Sequence, residues 1–285
     1  MPFPSQHTLC VSFRPFPEEK KRNSRSFSVQ IGDIVYDCRY LIGSYLPTIY
    51  LGRIGYKKAS IFINYILDLV RAGITAIEIE LNKLNTGLLS EPWFKNVRKI
   101  MLRGENVPAE NVIELYDRFD EPLQETVVEC TMDSLSPTSK LLQSENLSLD
   151  PSCSISIEHL LNFNGKYISL ECSSLLEEHI VAFIKHWLDG NYPNLEGAVI
   201  TAGFLSPFET EKVLNEFNTK QWNPAERAQN FILKASYSRD HMKEFPIIDC
   251  TNGRDFERSD GLLATILFGD NKFDFNFCVW HTRFP

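Results

Sequence analysis

Long apolar segments are absent from this sequence. The most apolar helical stretch, from Ile61 to Val70, contains Asn64 and Asp68, and it is much shorter than the roughly 20 apolar residues that span a bilayer. An apolar signal-peptide core is also missing, because prolines interrupt the first 17 residues. These absences predict a protein without a membrane partner, located in the cytoplasm or the nucleus.

Excess positive charge and paired cysteines are missing as well. The chain has 29 Lys and Arg residues against 37 Asp and Glu residues, which gives a formal net charge of −8. Such a chain has no general basic field for a phosphate backbone, so we expect no nucleic-acid partner. The seven cysteines form no C-x-x-C pair, which predicts reduced thiols.

Signatures of catalysis are also lacking. The sequence contains no G-x-S-x-G, no H-E-x-x-H and no glycine-rich phosphate loop. His179 and His186 lie on one predicted helix, but no ligand pattern around them supplies the three or four groups that zinc needs. Asp249 and Asp255, in the segment DCTNGRD, could form a carboxylate pair, but the favoured explanation is that they are turn residues around Asn252-Gly253. The sequence therefore predicts no catalytic residue, metal or cofactor. An enzyme of unidentified chemistry is the less favoured alternative.

Regular apolar patterning is what the sequence does contain. Residues 1–26 lack it and are predicted to form a flexible tail. From Phe27 onward, apolar and polar residues alternate on both sides of Gly32-Asp33, which predicts a β-hairpin. A helix is predicted over about residues 58–72, and its apolar face is formed by Phe62, Ile66, Leu69 and Val70.

The centre of the chain repeats the spacing apolar-x-x-apolar-x-apolar, which is typical of the strand in a leucine-rich repeat. The middle apolar position falls at residues 77, 100, 126, 147, 168 and 198. The intervals are irregular but long enough for one strand and one helix per unit. We therefore predict an irregular leucine-rich-repeat-like stack of strands and helices, with its strands side by side in chain order.

The segment HWLDGNYPNLEGAVI, residues 186–200, predicts the joint between one helix and the next strand. A helix over about 175–189 carries a single apolar stripe that includes Trp187. Its start is predicted at an S-x-x-E capping box, Ser174 to Glu177. Gly190 can adopt a left-handed conformation that ends the helix, and Pro193 prevents it from resuming.

The C-terminal residues 246–285 have a strand pattern instead. Phe273, Phe275, Phe277 and Val279 alternate strictly with other residues, and Gly-containing turn signals separate the strands. The pattern predicts an antiparallel β-meander that closes the stack. The predicted fold is thus α/β, with an N-terminal hairpin, the leucine-rich-repeat-like stack and the meander, in one domain over residues 27–285.

If the repeat strands lie parallel, alternate residues face outward and form rows across the sheet. One row follows the last inward position of each strand and consists of Glu80, Arg103, Glu129, Asp150, Glu171 and Thr201. The neighbouring row is partly apolar and consists of Glu78, Met101, Val127, Ser148, Ser169 and Val199. The two rows predict a concave, acidic and partly apolar face that binds a protein partner with basic side chains. A solvated sheet face in an acidic protein is the alternative.

Two stretches of the sequence resemble a known family. FIKHWLDGNYPNLEGAV, within residues 175–199, and DFERSDGLLATILF with the later VW, within residues 255–280, are similar to the motifs of the nematode-expanded F-box-associated family, type 2. The resemblance implies a protein that recognises protein substrates as a receptor subunit of a cullin–RING ubiquitin ligase.

Members of that family usually carry an F-box that docks on a Skp-type adaptor. Only 26 residues precede the first predicted strand, and several are prolines, so we expect the F-box to be truncated or missing. Adaptor binding is expected only if F-box function is retained. A stand-alone protein-interaction module without ligase docking is the alternative function.

Overall fold

The computed structural model describes residues 10–12, 24–41, 48–50, 56–70, 76–83, 89–132, 135–150, 155–203, 207–233 and 247–284. The fold is mixed α/β and rich in sheet. The chain divides into two compact units. Unit 1 comprises Met1–Ile74 and Asn85–Phe94, and unit 2 comprises Thr75–Leu84 and Lys95–Pro285. The division of the chain into a tail and one F-box-associated domain stays a prediction.

In its described residues, unit 1 contains a four-stranded sheet and the α-helix α1 (Tyr56–Val70). The strands are β1 (Cys10–Ser12), β2 (Ser24–Ile31), β3 (Ile34–Leu41) and β4 (Thr48–Tyr50), and the sheet order is β1-β4-β3-β2. The predicted hairpin is confirmed: β2 and β3 pair antiparallel around Gly32, whose φ of +58° suits the tight turn. β1 and the first residues of β2 lie within the segment predicted as a tail.

The helix of unit 1, α1 (Tyr56–Val70), packs one face on this sheet. Phe62 is buried with Tyr36 and Cys38, and Ile66 lies partly buried against them. The Tyr36 hydroxyl donates a hydrogen bond of 2.9 Å to the Lys58 carbonyl. The prediction for Leu69 was wrong, because its side chain is 65% exposed. The described core contacts end at Ile66, one turn before it.

Unit 2 is built on a ten-stranded sheet with the order β11-β14-β15-β16-β10-β9-β8-β7-β6-β5. Six parallel strands are β5 (Ala76–Glu80), β6 (Lys99–Val107), β7 (Glu125–Met132), β8 (Asn146–Leu149), β9 (Tyr167–Ser173) and β10 (Gly197–Ala202). The antiparallel strands are β11 (Lys220–Gln221), β14 (Arg254–Glu257), β15 (Leu263–Phe268) and β16 (Asp274–Trp280).

Shorter elements connect or cover these strands. The helices are α2 (Ala109–Tyr116), α3 (Ile157–Leu161), α4 (Glu177–Leu188) and α5 (Thr210–Leu214). Short 3₁₀ helices lie at Leu81–Lys83, Pro92–Asn96 and Lys140–Gln143. The strands β12 (Asn230–Ile232) and β13 (Ile247–Asp249) pair antiparallel as a separate two-stranded sheet.

The parallel strands lie side by side in chain order, in the register that the repeat spacing predicts. Residues 77, 100, 126, 147, 168 and 198 pair directly across neighbouring strands. The polar member, Thr126, is fully buried, and its hydroxyl lies 2.7 Å from the Tyr116 hydroxyl and 2.8 Å from that of Ser144. Burial raises the Tyr116 pKa far above its usual range. These paired hydroxyls explain how a threonine occupies an apolar position.

Helix α4 presents the predicted apolar stripe to the core, with Ile180, Phe183, Ile184 and Trp187 buried. The predicted capping box at Ser174 was wrong, because the helix begins at Glu177. Nδ1 of His179 accepts a 2.9 Å hydrogen bond from the backbone N–H of Leu176 instead. A histidine in the first turn can therefore satisfy a backbone donor that lies before the helix.

Gly190 ends this segment as predicted, with a φ of +89°. A Cβ built at this position meets no atom within 4 Å, so the effect of a substitution comes from the backbone alone. We expect Gly190→Ala to lower the free energy of unfolding by about 1–2 kcal/mol, because left-handed φ is costly for residues with a Cβ. Gly190→Asn is expected to cost less, since asparagine tolerates this conformation. Urea unfolding of both variants tests the order, and an alanine variant as stable as wild type would contradict it.

The C-terminal meander is confirmed. β14, β15 and β16 pair antiparallel in sequence order, and β16 also pairs antiparallel with β10. Phe275, Phe277 and Val279 are buried, and the Phe277 ring contacts the rings of Phe183 and Trp187 on α4. The meander therefore continues the sheet from its last parallel strand and shares the core beneath α4.

Candidate protein-binding face

We call the residues Glu80, Arg103, Glu129, Asp150, Glu171 and Thr201 the outer row. Glu80 pairs with Arg103, and Arg103 pairs with Glu129, across β5, β6 and β7. The Asp150 N–H donates to the Val128 carbonyl at 2.9 Å, which continues the ladder at the end of β8. The register between β9 and β10 shifts after Ile200. These side chains lie on the face opposite the buried residues Ile79, Leu102, Val128, Leu149, Leu170 and Ile200.

The accessibility of the predicted face is uneven. Glu78 and Glu171 are exposed, and the side chains of Glu80, Arg103, Val127, Glu129, Ser148 and Asp150 are partly buried. Met101, Ser169 and Val199 retain only 5%, 3% and 6% of their accessible surface. These three residues therefore present little surface to a partner.

Local packing accounts for the burial of these residues. The Met101 sulfur accepts a hydrogen bond of 3.4 Å from Nη2 of Arg103. Ser169 lies between Tyr167 on its own strand and Val199 on the next, and these two belong to an apolar cluster with Phe231 and Leu233. Residues in and next to β12 thus pack against Tyr167 and Val199 on the outer face, whereas Glu171, further along β9, stays exposed.

Arg103 is the only cation in the outer row, and it is shared by two carboxylates. Its Nη1 lies 3.3 Å from Oε1 of Glu78, and its Nε lies 3.0 Å from Oε2 of Glu129. The row nevertheless contains four carboxylates, so its charge is negative. The Arg103–Glu78 pair is partly exposed, and surface pairs of this kind stabilise a fold by about 0–1 kcal/mol. The Glu129 side chain is only 16% exposed, so its pair with Arg103 is less screened by solvent.

A fifth carboxylate extends the outer row and was missed by the sequence reasoning. Asp274 on β16 pairs with Thr201 on β10, and the Thr201 hydroxyl donates to Oδ1 of Asp274 at 3.1 Å. The alternation of β16 places Asp274 outward, because Phe275 points inward. The missing information was the partner strand, since the sequence did not predict that β16 pairs with β10.

A buried ion pair lies in the same unit. Arg227 is fully buried, and its Nε and Nη2 donate to both carboxylate oxygens of Asp255 at 2.9–3.1 Å. Thr265 donates to the same carboxylate at 2.7 Å, and the Trp280 indole N–H donates to the Thr265 hydroxyl at 2.8 Å. The explanation of Asp255 as a turn residue was wrong, because it lies in β14. Asp249 is the last residue of β13, and its side chain accepts a hydrogen bond from the Thr251 N–H at 2.9 Å in the turn that follows.

The two stretches that carry the family resemblance meet in the structure. The Arg258 guanidinium lies 4.9 Å from the centre of the Trp187 ring, and its Nη1 donates to the carbonyls of Trp187 and Asn191 at 3.4 Å. Asp260 accepts from Arg258 at 2.7 and 3.0 Å. These bonds, with one from the Leu262 N–H, lower the Asp260 pKa to about 2. The motifs therefore fix the contact between α4 and the β14–β15 turn.

Neither His179 nor His186 lies in a described cluster of side chains that could bind a metal ion. Nδ1 of His179 is occupied by the Leu176 N–H, and the His186 ring contacts Tyr192. Within the described ranges, no three or more His, Cys, Asp or Glu side chains converge in a way that could hold a metal ion. Across those same ranges, every helix is too short or too polar to cross a membrane.

Comparison with known proteins agrees with the two motifs. Residues 137–200 match a family model described as F-box associated. The match includes the whole of the first motif, and the second motif lies outside it.

Three relatives from Caenorhabditis elegans are each named as an uncharacterized protein. F59B2.8 is 28% identical over 74% of this chain and 48% of its own length. F59B2.9 is 25% identical over 70% of this chain and 45% of its own length. A third protein, F54H12.5, is 32% identical over 50% of this chain and 38% of its own length. The chain thus spans about half the length of the first two relatives, and no solved structure matches it. The predicted resemblance is confirmed: residues 137–200 match the F-box-associated family, and the relatives named above are nematode proteins.

Proposed function

We propose that this chain recognises a protein substrate through its outer row, as the receptor part of a cullin–RING ubiquitin ligase. The F-box-associated match suggests a role in substrate interaction. The single observation that carries the proposal is the row of carboxylates distributed over seven neighbouring strands, from Glu80 on β5 to Asp274 on β16. We further propose that residues 27–285 form one F-box-associated domain and that its parallel strands are an irregular leucine-rich-repeat-like stack.

The chemistry of the outer row favours basic side chains in the partner. Neighbouring strands in a sheet lie about 4.8 Å apart, so the carboxylates of adjacent strands are close enough to act on one extended segment. Complementary charge of this kind steers association and selects partners more than it adds affinity. Binding should therefore weaken as salt increases, because exposed charges are screened.

Reversing the charge of the row tests this proposal. We expect Asp150→Lys combined with Glu171→Lys to remove most partner binding, because two cations would then repel a basic segment. Thermal stability should change little, since Glu171 is exposed and Asp150 is only partly buried. The measurement is quantitative affinity purification from nematode lysate, followed by calorimetric titration of the purified partner.

A matched control carries the same change in net charge elsewhere. Asp117→Lys combined with Glu216→Lys alters two exposed carboxylates, one following α2 and one following α5, and should retain the partner. Equal capture by the row variant and by wild type would refute the role of the outer row.

The connection to a ligase is tested separately, with the purified Skp-type adaptor. Binding at micromolar concentration would support the receptor function. Failure to bind the adaptor, together with partner binding that depends on the outer row, would favour the stand-alone interaction module instead.

A further inference from the structure

A pocket of about 390 Å³ lies near the end of β16 that is opposite the outer row. Its lining includes Pro193 from the first motif and Arg258, Asp260 and Trp280 from the second, together with His281 and Arg283. Trp280 lies six residues along β16 from Asp274, which corresponds to roughly 20 Å of strand. The pocket is therefore separate from the outer row.

The charge of this pocket is unusual for such an acidic chain. Two guanidinium groups and one imidazole line it, against the single carboxylate of Asp260. Asp260 is already bound to Arg258 through two hydrogen bonds. Nε2 of His281 lies 2.8 Å from the Leu195 carbonyl, which fixes the position of the ring. The positive charge that is left to attract a ligand therefore comes from Arg283.

Arg258 and Arg283 differ in how firmly they are held. Arg258 is almost fully buried and bonded to Asp260 and to two backbone carbonyls. The side chain of Arg283 is 36% exposed, and within the described part of the chain its hydrogen bonds use only Nη2, which donates to Glu257 and to the Gly261 carbonyl. Nε and Nη1 of Arg283 therefore keep donor capacity that a ligand can use.

The Glu257 side chain that now pairs with Arg283 is itself exposed. Exposed ion pairs of this kind contribute little to stability, so an incoming oxyanion can replace Glu257 at little cost. A guanidinium fork binds carboxylates in a bidentate manner, which gives both strength and orientation. The open and polar pocket suits one side chain of a larger partner more than a whole buried small molecule.

We propose that this pocket binds the carboxylate of an acidic side chain on a partner polypeptide, with Arg283 as the residue that contacts it. Arg258 holds the β14–β15 turn in place, and His281 borders the site. The inference does not depend on the outer row, so the variant Asp150→Lys/Glu171→Lys should still bind a carboxylate in this pocket.

The probe is N-acetyl-glutamate N-methylamide, titrated to millimolar concentrations while the Arg283 Nε–H resonance is followed by NMR. We expect a saturable shift and at least a tenfold weaker response to the glutamine analogue, which has the same shape without the charge. The resonance is assigned by its loss in Arg283→Gln, and binding to that variant is followed at neighbouring backbone amides, where it should fall at least tenfold.

Arg118→Gln is the matched control, because Arg118 is also a half-exposed arginine paired with a glutamate. This variant should bind the probe as wild type does. Equal responses to the two analogues, or unchanged binding by a folded Arg283→Gln variant, would overturn the proposal. So would saturation by inorganic sulfate without any response to the carboxylate.

Discussion

Replacing Arg227 with alanine is expected to lower the free energy of unfolding by about 3–5 kcal/mol. The substitution leaves the Asp255 carboxylate in a site with 3% exposure and no cation. It also removes donors from the Ala228 and Cys250 carbonyls, which Arg227 contacts at 2.9 Å. An isolated buried charge is costly because the interior solvates it poorly. Equilibrium unfolding in urea measures the loss.

Two further variants separate charge from packing. Arg227→Met combined with Asp255→Asn removes both charges, and it should be less destabilising than the sum of the two single changes, because neither partner is then left charged and alone. Arg118→Ala breaks an exposed pair and should cost less than about 0.5 kcal/mol. An Arg227→Ala variant with the stability of the Arg118 control would contradict the assigned role of the buried pair.

Replacing Trp187 with alanine is expected to have an effect of similar size, about 3–5 kcal/mol. The indole is fully buried, with ring centres 5.7 Å from Phe256 and 5.4 Å from Phe277. The Arg258 guanidinium also stacks over it. The substitution would therefore open a cavity where the two family motifs meet, and urea unfolding would detect it.

A conservative variant makes the cavity explanation testable. The Trp187 Nε1–H has no hydrogen-bond partner among the residues that the structure describes, so Trp187→Phe loses volume but none of the described hydrogen bonds. We expect Trp187→Phe to retain most of the stability that Trp187→Ala loses, because the cost scales with the unfilled space. Equal losses in the two variants would show that volume does not determine the effect.

The outer row shows how far sequence reasoning reaches. Glu80, Arg103 and Glu129 follow buried aliphatic positions at constant spacing, so their alignment follows from strand periodicity alone. The burial of Met101 and Ser169 does not, because it depends on the neighbours Arg103, Tyr167 and Val199. The position of Asp274 depends on which strand β16 joins, and apolar alternation within one strand carries no information about that choice.

The sequence by itself determined the local elements and their inward faces: the hairpin around Gly32, the apolar stripe of α4, the helix end at Gly190 and the register of the parallel strands. Period and turn chemistry are properties of neighbouring residues, so they can be read along the chain. Only the tertiary structure decided that Arg227 neutralises Asp255 and that Arg258 reaches Trp187, at sequence separations of 28 and 71 residues. Such pairs form because folding desolvates both partners together, and the spacing of residues along the chain does not specify that event.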